Sequence, residues 1–305
     1  MGARRVNEVL VKHEATDQDL LTTVDSRRPR GRRSRVVARI VECCLAVVGI
    51  AMLAPIVWML AQSVTDPRQA FSLPPSLLPK GFTLANFTTV FERMPFGQQF
   101  LNSILLAVGT TVGSLFVSVL AAYSFSRVAF RGSRVLLVVM ISAMMIPAQL
   151  IIIPVFVMMR QAELVDTLWA ILLPSLINVF QIFFLTQYFG SIPKEMDEAA
   201  TLDGAGHLWI LFRMIIPLSA PALSALGILS FEASWNNYFA PLIFLFSPEN
   251  MTLPLGLVML RQGMGAAPTV VVFASITMVV LPVLVVFLVF QRQFVASIAT
   301  TGLKG

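Results

Sequence analysis

Long apolar runs separated by short polar segments dominate the sequence. Six of these runs approach or exceed the roughly 20 residues that an α-helix needs to cross the hydrocarbon core of a bilayer. In chain order they cover about 40–62, 101–123, 135–159, 168–189, 219–246 and 269–290. The pattern therefore predicts an all-α, polytopic membrane protein with six transmembrane helices.

The composition agrees with a protein that is embedded in lipid. Of its 305 residues, 57% are hydrophobic and 12% are charged, whereas charged residues make up about a quarter of a soluble globular domain. So large an apolar surface needs lipid as its solvent. The two cysteines, Cys43 and Cys44, are adjacent and lack zinc-type spacing, so we expect two buried thiols and no metal site.

The positive charges orient the predicted helices. With the N-terminus inside, the 22 Lys and Arg residues fall on the cytoplasmic side except for Arg68, Lys80, Arg93, Arg160 and Arg261. This bias follows the positive-inside rule and predicts that both termini and the loop 191–218 are cytoplasmic. Nucleic-acid binding is not indicated, because the basic residues gather at membrane edges without interleaved aromatic residues.

The polar segments divide the chain into three predicted regions. Residues 1–39 form a basic cytoplasmic leader with too few apolar residues to fold alone, and we expect it to be disordered. Residues 40–290 form the transmembrane domain, and 291–305 a cytoplasmic tail. The first apolar run is longer than the roughly 7 to 15 residues of a signal-peptide core, which predicts an uncleaved anchor.

Several prolines fall inside the predicted helices, namely Pro147, Pro154, Pro174 and Pro282. Membrane helices tolerate proline because neighbouring helices and polar side chains can satisfy the freed carbonyls. Two interpretations stay open. The prolines produce simple kinks for packing, or the kinked helices bend around a central path, as in transporters whose sites lie at broken helices.

The cytoplasmic loop 191–218 has the pattern of a short helical hairpin. A first helix begins after Pro193 and carries Glu195, Asp197 and Glu198 in its first turns, where the helix dipole favours negative charge. It continues through two alanines, which form helix well and allow a partner surface to approach closely.

A turn and a second helix complete this hairpin. Asp203 and Gly204 form a turn signal that ends the first helix. Over about 205–216, four apolar residues follow at helical spacing: Leu208, Leu211, Phe212 and Ile215. Pro217 then marks the return into the membrane.

The stretch EAATLDGAGHLWILFRMIIPLSAP at 198–221 resembles the EAA motif of ABC importer permeases, which is Glu-Ala-Ala, three residues, Gly, nine residues, then Ile-x-Leu-Pro. The residues in register are Glu198, Ala199, Ala200, Gly204 and Pro217. The resemblance implies that the loop is a coupling helix that docks into a cleft on a separate ATPase subunit. Glu198 would make the charged contact, Asp203 and Gly204 the turn, and the two alanines the packing surface.

Other segments are similar to the same family. They are LNSILLAV at 101–108, MIPAQLIIIPVF at 145–156, FFLTQYFGSIPKEMDEAATLDGAG at 183–206, FEASWNNYFAPL at 231–242 and FVASIATTGLKG at 294–305. Together they resemble the carbohydrate branch, specifically the six-span subunit of maltose and glycerol-phosphate type importers. The resemblance implies a type I ABC importer permease fold in the inner membrane and a role in sugar import.

This resemblance also implies a set of partners. They would be a second permease in a heterodimer, an ATPase dimer, an extracytoplasmic sugar-binding protein and membrane lipid. This chain would carry no cofactor, since ATP and Mg would be bound by the partner ATPase, and it would not be an enzyme. The sequence agrees, because it contains no GxxxxGK[ST] run, and its two histidines, His13 and His207, are too isolated to build a metal site.

Glu232 is the one carboxylate within the fifth apolar run. A charge near the middle of a bilayer costs a few kcal/mol and usually faces a bundle interior. Helical spacing predicts that Glu232, Trp235, Asn236 and Phe239 share one face, which together with Asn237 makes a candidate wall of a sugar path. The alternative is a structural glutamate that holds two helices or two subunits together.

A second class of function stays open from the residues alone. An ion-coupled secondary transporter would use Glu232 as its proton or cation site. Six spans with a single buried acid are sparse for such a carrier, and the EAA-like loop would have no role. An intramembrane hydrolase is not indicated, because neither HExxH nor GxSxG occurs and catalytic residues are therefore not predicted.

Overall fold

The computed structural model describes residues 32–69, 81–128, 130–262 and 267–302. Within these ranges the regular structure is helical, apart from an isolated antiparallel bridge between Thr65 and Phe82. The predicted all-α fold is therefore confirmed. The leader up to residue 31, the proline-rich centre of the outer segment and the last three residues lie outside the described residues, and so do the predictions made for them.

The first helix, α1, covers Arg32–Ser63 and begins before the predicted boundary at residue 40. Its N-terminal part belongs to one compact unit, Met1–Val57, and Trp58 begins the second unit. From Arg39 to Val57 every side chain is exposed, although most of them are apolar. Cys43 and Cys44 share this exposure, so the prediction of buried thiols is wrong. Apolar residues all around a helix are typical of a lipid-facing span, where a thiol needs no protein cover.

The second unit contains the remaining helices. They are α2 (Ala85–Arg93), α3 (Phe96–Arg127), α4 (Ser133–Ala143), α5 (Ala148–Gln161), α6 (Trp169–Ser175), α7 (Val179–Gly190), α8 (Glu195–Leu202), α9 (His207–Ile210), α10 (Ile216–Leu218), α11 (Ala220–Trp235), α12 (Phe239–Phe244), α13 (Leu253–Gln262) and α14 (Thr269–Gly302). A π-helical turn, Leu211–Ile215, joins α9 to α10.

Three helical stretches are long and apolar enough to cross a membrane, namely Arg39–Ser63, Phe96–Arg127 and Trp169–Gly190. Two bent pairs raise the number to five if each pair is one span: α4 with α5, bent by 102°, and His207–Leu218 with α11, bent by 78°. The apolar part of α14, Thr269–Val285, corresponds to the sixth predicted run. The count of six stays a prediction.

The third apolar run is broken at one of the prolines for which the sequence predicted a kink. Helix α4 ends at Ala143 and α5 begins at Ala148, with Pro147 as its N-cap residue. Proline has no N–H to donate and disfavours helical geometry in the residue before it, so the chain bends there. Pro154, by contrast, lies inside α5 without ending it.

Helix α3 packs closely against the fourth apolar run through two glycines. A Cβ added to Gly109 would lie 2.7 Å from Cδ1 of Leu172, and one added to Gly113 would overlap the side chain of Leu176. The spacing is Gly-x-x-x-Gly, which allows two membrane helices to approach closely. The two leucines, one turn apart, therefore fill the space that these glycines leave.

Candidate functional site

A row of buried polar residues runs along α3. Its members are Gln99, Asn102, Ser103, Thr110, Ser114 and Ser118. Their spacing keeps them near one face of the helix. Because buried polar groups need hydrogen-bond partners, each contact on this row fixes another part of the chain against α3.

The N-terminal end of this row holds the segment that follows α12. Asn102 donates from Nδ2 to the carbonyl oxygens of Glu249 (2.7 Å) and Met251 (3.0 Å), and the hydroxyl of Ser103 accepts from the backbone N–H of Leu253 at 2.8 Å. Gln99 donates to the carbonyl of Pro248 at 2.9 Å. The Asn-Ser pair that opens the second apolar run is thus a structural anchor for this segment.

Asp166 binds the same segment from the other side. Its Oδ1 accepts from the backbone N–H groups of Phe246 (2.7 Å) and Ser247 (3.0 Å), and the Ser247 hydroxyl donates to Oδ2. Asn250 donates to the Asp166 carbonyl at 2.7 Å. Burial by itself raises the pKa of this carboxyl, but the hydrogen bonds from Ser247 and Phe246 outweigh it and lower the pKa below its ordinary value.

A cavity of about 410 Å³ lies between α3, the break separating α6 from α7, and α11. The polar residues that line it are Thr110, Ser175, Asn178, Gln181, Ser230, Ser234 and Asn237. Thr110 lies near the middle of α3, so the cavity lies near the middle of the membrane span. Its described lining contains hydroxyls, amides and apolar groups but no charged side chain.

Two helix breaks supply asparagines to this cavity. Asn178 accepts the backbone N–H of Gln181 at 3.1 Å and so caps α7, and Asn237 accepts that of Ala240 at 3.2 Å at the start of α12. In both residues the side-chain oxygen is used for capping, which leaves the amide NH₂ as a donor. Broken helices that line a cavity at mid-membrane depth are typical of transporters.

The predicted common face of Glu232, Trp235, Asn236 and Phe239 is interrupted after Asn236, because α11 ends at Trp235 and the next helix begins at Phe239. Trp235 is 1% exposed and packs edge-on against Phe100, so it belongs to the core.

Two of the remaining path candidates, Glu232 and Asn236, contact each other at the end of α11, and the third, Asn237, lies in the break that follows. Asn236 donates to Glu232 Oε1 at 2.8 Å, and both side chains are exposed. Neither residue lines the 410 Å³ cavity, whereas Asn237 does. The sequence analysis did not identify the other polar residues that line the cavity. Their signal was the presence of hydroxyl and amide side chains within long apolar runs.

The hairpin that the charge bias predicts to be cytoplasmic begins with α8 and turns at Gly204. The N–H of Ala205 donates to the Ala200 carbonyl at 2.9 Å, and that of Gly204 to the Thr201 carbonyl at 3.0 Å. This pair of bonds is a Schellman motif, which satisfies carbonyls at the helix end. Gly204 has φ of +87°, a left-handed conformation that favours glycine. Asp203 is the C-cap residue.

Apolar and small residues cover the outside of the hairpin. Leu202 is 90% exposed at its tip, and Glu198 and Ala199 are exposed beside it. A groove of about 710 Å³ runs between the two arms. It is lined by Met196, Ala199, Ala200, Asp203, Gly204, Ala205, Gly206, Trp209 and Met214.

The second arm is less regular than predicted. It begins at His207 rather than at residue 205, and its middle is π-helical. Pro217 lies inside α10 with an exposed side chain, and the 78° bend into α11 falls at the next break, around Ser219. Single π-turns occur often at functional positions.

The hairpin is fixed to the end of α3 by a buried ion pair that the sequence did not suggest. Nε of Arg127 lies 2.9 Å from Oδ2 of Asp197, and the two side chains are 3% and 17% exposed. Arg127 also donates from Nη2 to the carbonyl of Ile192 at 2.9 Å. Among the described residues, His, Cys, Asp and Glu form no cluster that could hold a metal ion.

Comparisons with known proteins agree with this architecture. Residues 114–300 match the family described as binding-protein-dependent transport system inner membrane component. The arabinooligosaccharides transport system permease protein AraQ of Halalkalibacterium halodurans is 33% identical over 74% of this chain and 81% of its own length. The sulfoquinovosyl glycerol transport system permease protein SmoH of Agrobacterium fabrum is 31% identical over 83% of this chain and 89% of its own length.

A solved structure shares the fold. A chain of a bacterial ABC transporter involved in the import of the acidic polysaccharide alginate superposes with a TM-score of 0.78. It is 29% identical and covers 87% of this chain and 98% of its own. Proteins of this kind are transport components and not enzymes. The chain therefore belongs to the binding-protein-dependent inner membrane component family and is a multi-pass cell-membrane permease of the carbohydrate ABC importer type.

Proposed function

We propose that this chain forms half of the translocation path of an ATP-driven sugar importer and couples to a separate ATPase through the hairpin 195–218. The observation that carries the proposal is the apolar tip of the hairpin, where Leu202 is 90% exposed next to a groove of about 710 Å³. Exposed apolar patches of this kind mark surfaces that contact another protein. The Schellman turn at Gly204 supports it, because a fixed tip can transmit force.

The partners follow from the family. A second permease completes the path, two ATPase domains bind ATP and Mg, and an extracytoplasmic binding protein delivers the sugar. In this assignment Glu198 makes a charged contact with the ATPase, and Ala199 and Ala200 allow its surface to approach. This chain itself holds no nucleotide.

The cavity of about 410 Å³ is the proposed contribution of this chain to the path. Its hydroxyl and amide lining, with Phe180 beside it, suits hydrogen bonding and ring stacking to a sugar. Since the part of its lining that the structure describes has no charged side chain, an uncharged sugar fits better than an acidic one. AraQ of Halalkalibacterium halodurans, a protein named for the transport of arabinooligosaccharides, supports an oligosaccharide as the substrate class, and the preference for an uncharged one rests on the cavity lining alone.

The coupling part is tested by affinity co-purification from native membranes in mild detergent. The native chain should retain an ATPase subunit, and Leu202→Arg should lose it, because a charge at the tip opposes burial in an apolar cleft. Leu84→Arg is the matched control, since Leu84 is also exposed, at 59%, but lies in the outer segment. Absence of any ATPase from the native complex would contradict the proposal.

The path is tested by uptake of radiolabelled neutral oligosaccharides, arabino-oligosaccharides among them, into cells that express the variants. Ser234→Leu should abolish uptake while the ATPase stays bound, because leucine fills the cavity. Asn236→Leu is the control, since Asn236 is adjacent but does not line the cavity. Uptake that persists after removal of the ATPase would instead favour the ion-coupled carrier and return attention to Glu232.

A further inference from the structure

The end of α3 holds both arms of the cytoplasmic hairpin. Arg127, the last residue of α3, contacts Asp197 in the first turn of α8 and the Ile192 carbonyl just before that helix. One helical turn earlier, the Tyr123 hydroxyl lies 3.3 Å from Nδ1 of His207, the first residue of α9. Both contacts come from the same helix end, so the hairpin cannot shift independently of α3 while they persist.

The Arg127 side chain is buried, so its ion pair with Asp197 is energetically costly to break. This side chain is 3% exposed, and among the described atoms Nε and Nη1 of Arg127 and the second carboxylate oxygen of Asp197 have no hydrogen-bond partner, so the 2.9 Å contact between Nε and Oδ2 is an ion pair without hydrogen-bond geometry. Two charges withdrawn from water are stable only while they stay paired, since separation leaves an uncompensated buried charge. A pair of this kind therefore acts as a rigid link between the elements that carry it.

Helix α3 continues from this link to the cavity. Ser118 donates to Gln181 Oε1 at 3.1 Å, the Ser114 and Ser230 hydroxyls lie 3.4 Å apart, and Thr110 lines the cavity. A displacement of the hairpin would therefore reach the cavity walls along one continuous helix. The polar row on α3 would then transmit movement to the cavity walls as well as stabilise the packing of the helices.

We infer that Arg127 is a positioning residue for energy coupling, which ties the coupling hairpin to α3 so that the two move as one body. The inference rests on the proposed function for its meaning, because it is the ATPase that would move the hairpin. Tyr123 and His207 form the weaker second contact. In this mechanism the ion pair transmits the movement of the hairpin to α3, and the surface that contacts the ATPase does not itself change.

The test measures whether the hairpin and α3 move together. Spin labels are placed at Ser124→Cys and Glu195→Cys, both exposed positions, in a chain with Cys43→Ser and Cys44→Ser. Dipolar EPR on the co-purified complex compares the nucleotide-free state with ATP plus vanadate. In the otherwise native chain we expect one narrow distance distribution that is the same in both states.

Arg127→Gln should broaden that distribution and make it depend on nucleotide, while the ATPase stays bound. Arg131→Gln is the matched control, an exposed arginine four residues further on, and should behave as native. Arg127→Lys keeps the charge but cannot make both contacts, so it should give an intermediate result and decides the matter if Arg127→Gln does not fold.

Two outcomes would overturn the inference. The first is an Arg127→Gln complex with the native distribution in both states. The second is loss of the ATPase from Arg127→Gln, since the pair would then hold the docking surface rather than transmit its movement. If no ATPase associates even with the native chain, the proposed function fails, while the nucleotide-free distributions still decide whether Arg127 fixes the hairpin to α3.

Discussion

At the scale of single residues, backbone conformation decides the importance of one glycine in the hairpin. A Cβ at Gly204 would meet no atom within 4 Å, so space does not select glycine there. The φ of +87° selects glycine there, because an L-residue in a left-handed conformation costs roughly 1–2 kcal/mol. The sequence could identify this residue because Asp-Gly is a strong turn signal.

Gly204→Ala should therefore destabilise the hairpin without blocking any contact. We expect the amides of α8 to exchange with deuterium roughly 5- to 30-fold faster, the range that 1–2 kcal/mol corresponds to. Hydrogen-exchange mass spectrometry of the detergent-solubilised chain measures this. Gly206→Ala is the control, since Gly206 has φ of −81° and open space around it. Equal exchange in both variants would refute the prediction.

Asp166 links pH to stability on the opposite side of the protein. Its pKa is lower in the folded chain than in the unfolded chain, so its contribution is present above the unfolded value. That contribution is lost as the pH falls through the folded pKa. We expect the thermal midpoint of the native chain to drop on acidification, and Asp166→Asn to show a lower midpoint near neutral pH with a smaller drop.

Differential scanning fluorimetry between about pH 6 and pH 3, the range around ordinary carboxyl pKa values, makes this measurement. Glu249→Gln is the control, because its exposed side chain belongs to the same external segment. An Asp166→Asn chain that loses as much stability on acidification as the native chain would show that other carboxyl groups dominate.

At the scale of helices, close packing of α3 on the fourth apolar run depends on Gly109 and Gly113. The sequence contained this signal as a Gly-x-x-x-Gly spacing, but only the structure shows that Leu172 and Leu176 are its partners. Small residues matter in membranes because helices there associate by van der Waals packing rather than by the hydrophobic effect.

Gly113→Val should overpack this contact and cost about 1–3 kcal/mol. The expected result is a lower thermal midpoint in detergent, with partial recovery in the double variant Gly113→Val/Leu176→Ala, which returns the space. Gly97→Ala, at a helical glycine with no atom within 4 Å of the added Cβ, should change little. Failure of Leu176→Ala to restore any stability would mean that the strain lies elsewhere.

At the scale of the whole molecule, the apolar runs predict six crossings, and the charge bias places the hairpin inside. The described residues contain three helical stretches long and apolar enough to cross a membrane and two bent pairs. Only an orientation measurement connects these helices to the two sides of the bilayer.

Cysteine labelling with a membrane-impermeant maleimide tests this topology. In a chain with Cys43→Ser and Cys44→Ser, Glu249→Cys should be labelled from outside intact cells, whereas Leu202→Cys should be labelled only after the membrane is opened. Both positions are exposed, so access to reagent is set by the side of the membrane. Labelling of both from the same side would contradict six crossings.

The sequence by itself determined the features that depend on local pattern. Apolar run length specified membrane helices, and the EAA-like spacing with its Asp-Gly turn specified the hairpin and the family. These signals are readable because span length, turn conformation and motif spacing are properties of neighbouring residues.

The tertiary structure decided what residues far apart in the chain do together. It joined Arg127 to Asp197, gathered the hydroxyl and amide residues of four helices around one cavity, and buried Trp235 while it left Glu232 outside that cavity. The predicted face around Glu232 reaches Asn236 but not Phe239, because helical spacing applies only while a helix continues, and α11 ends at Trp235. Contacts between distant segments depend on how the helices bend and pack, which periodicity along the chain does not encode.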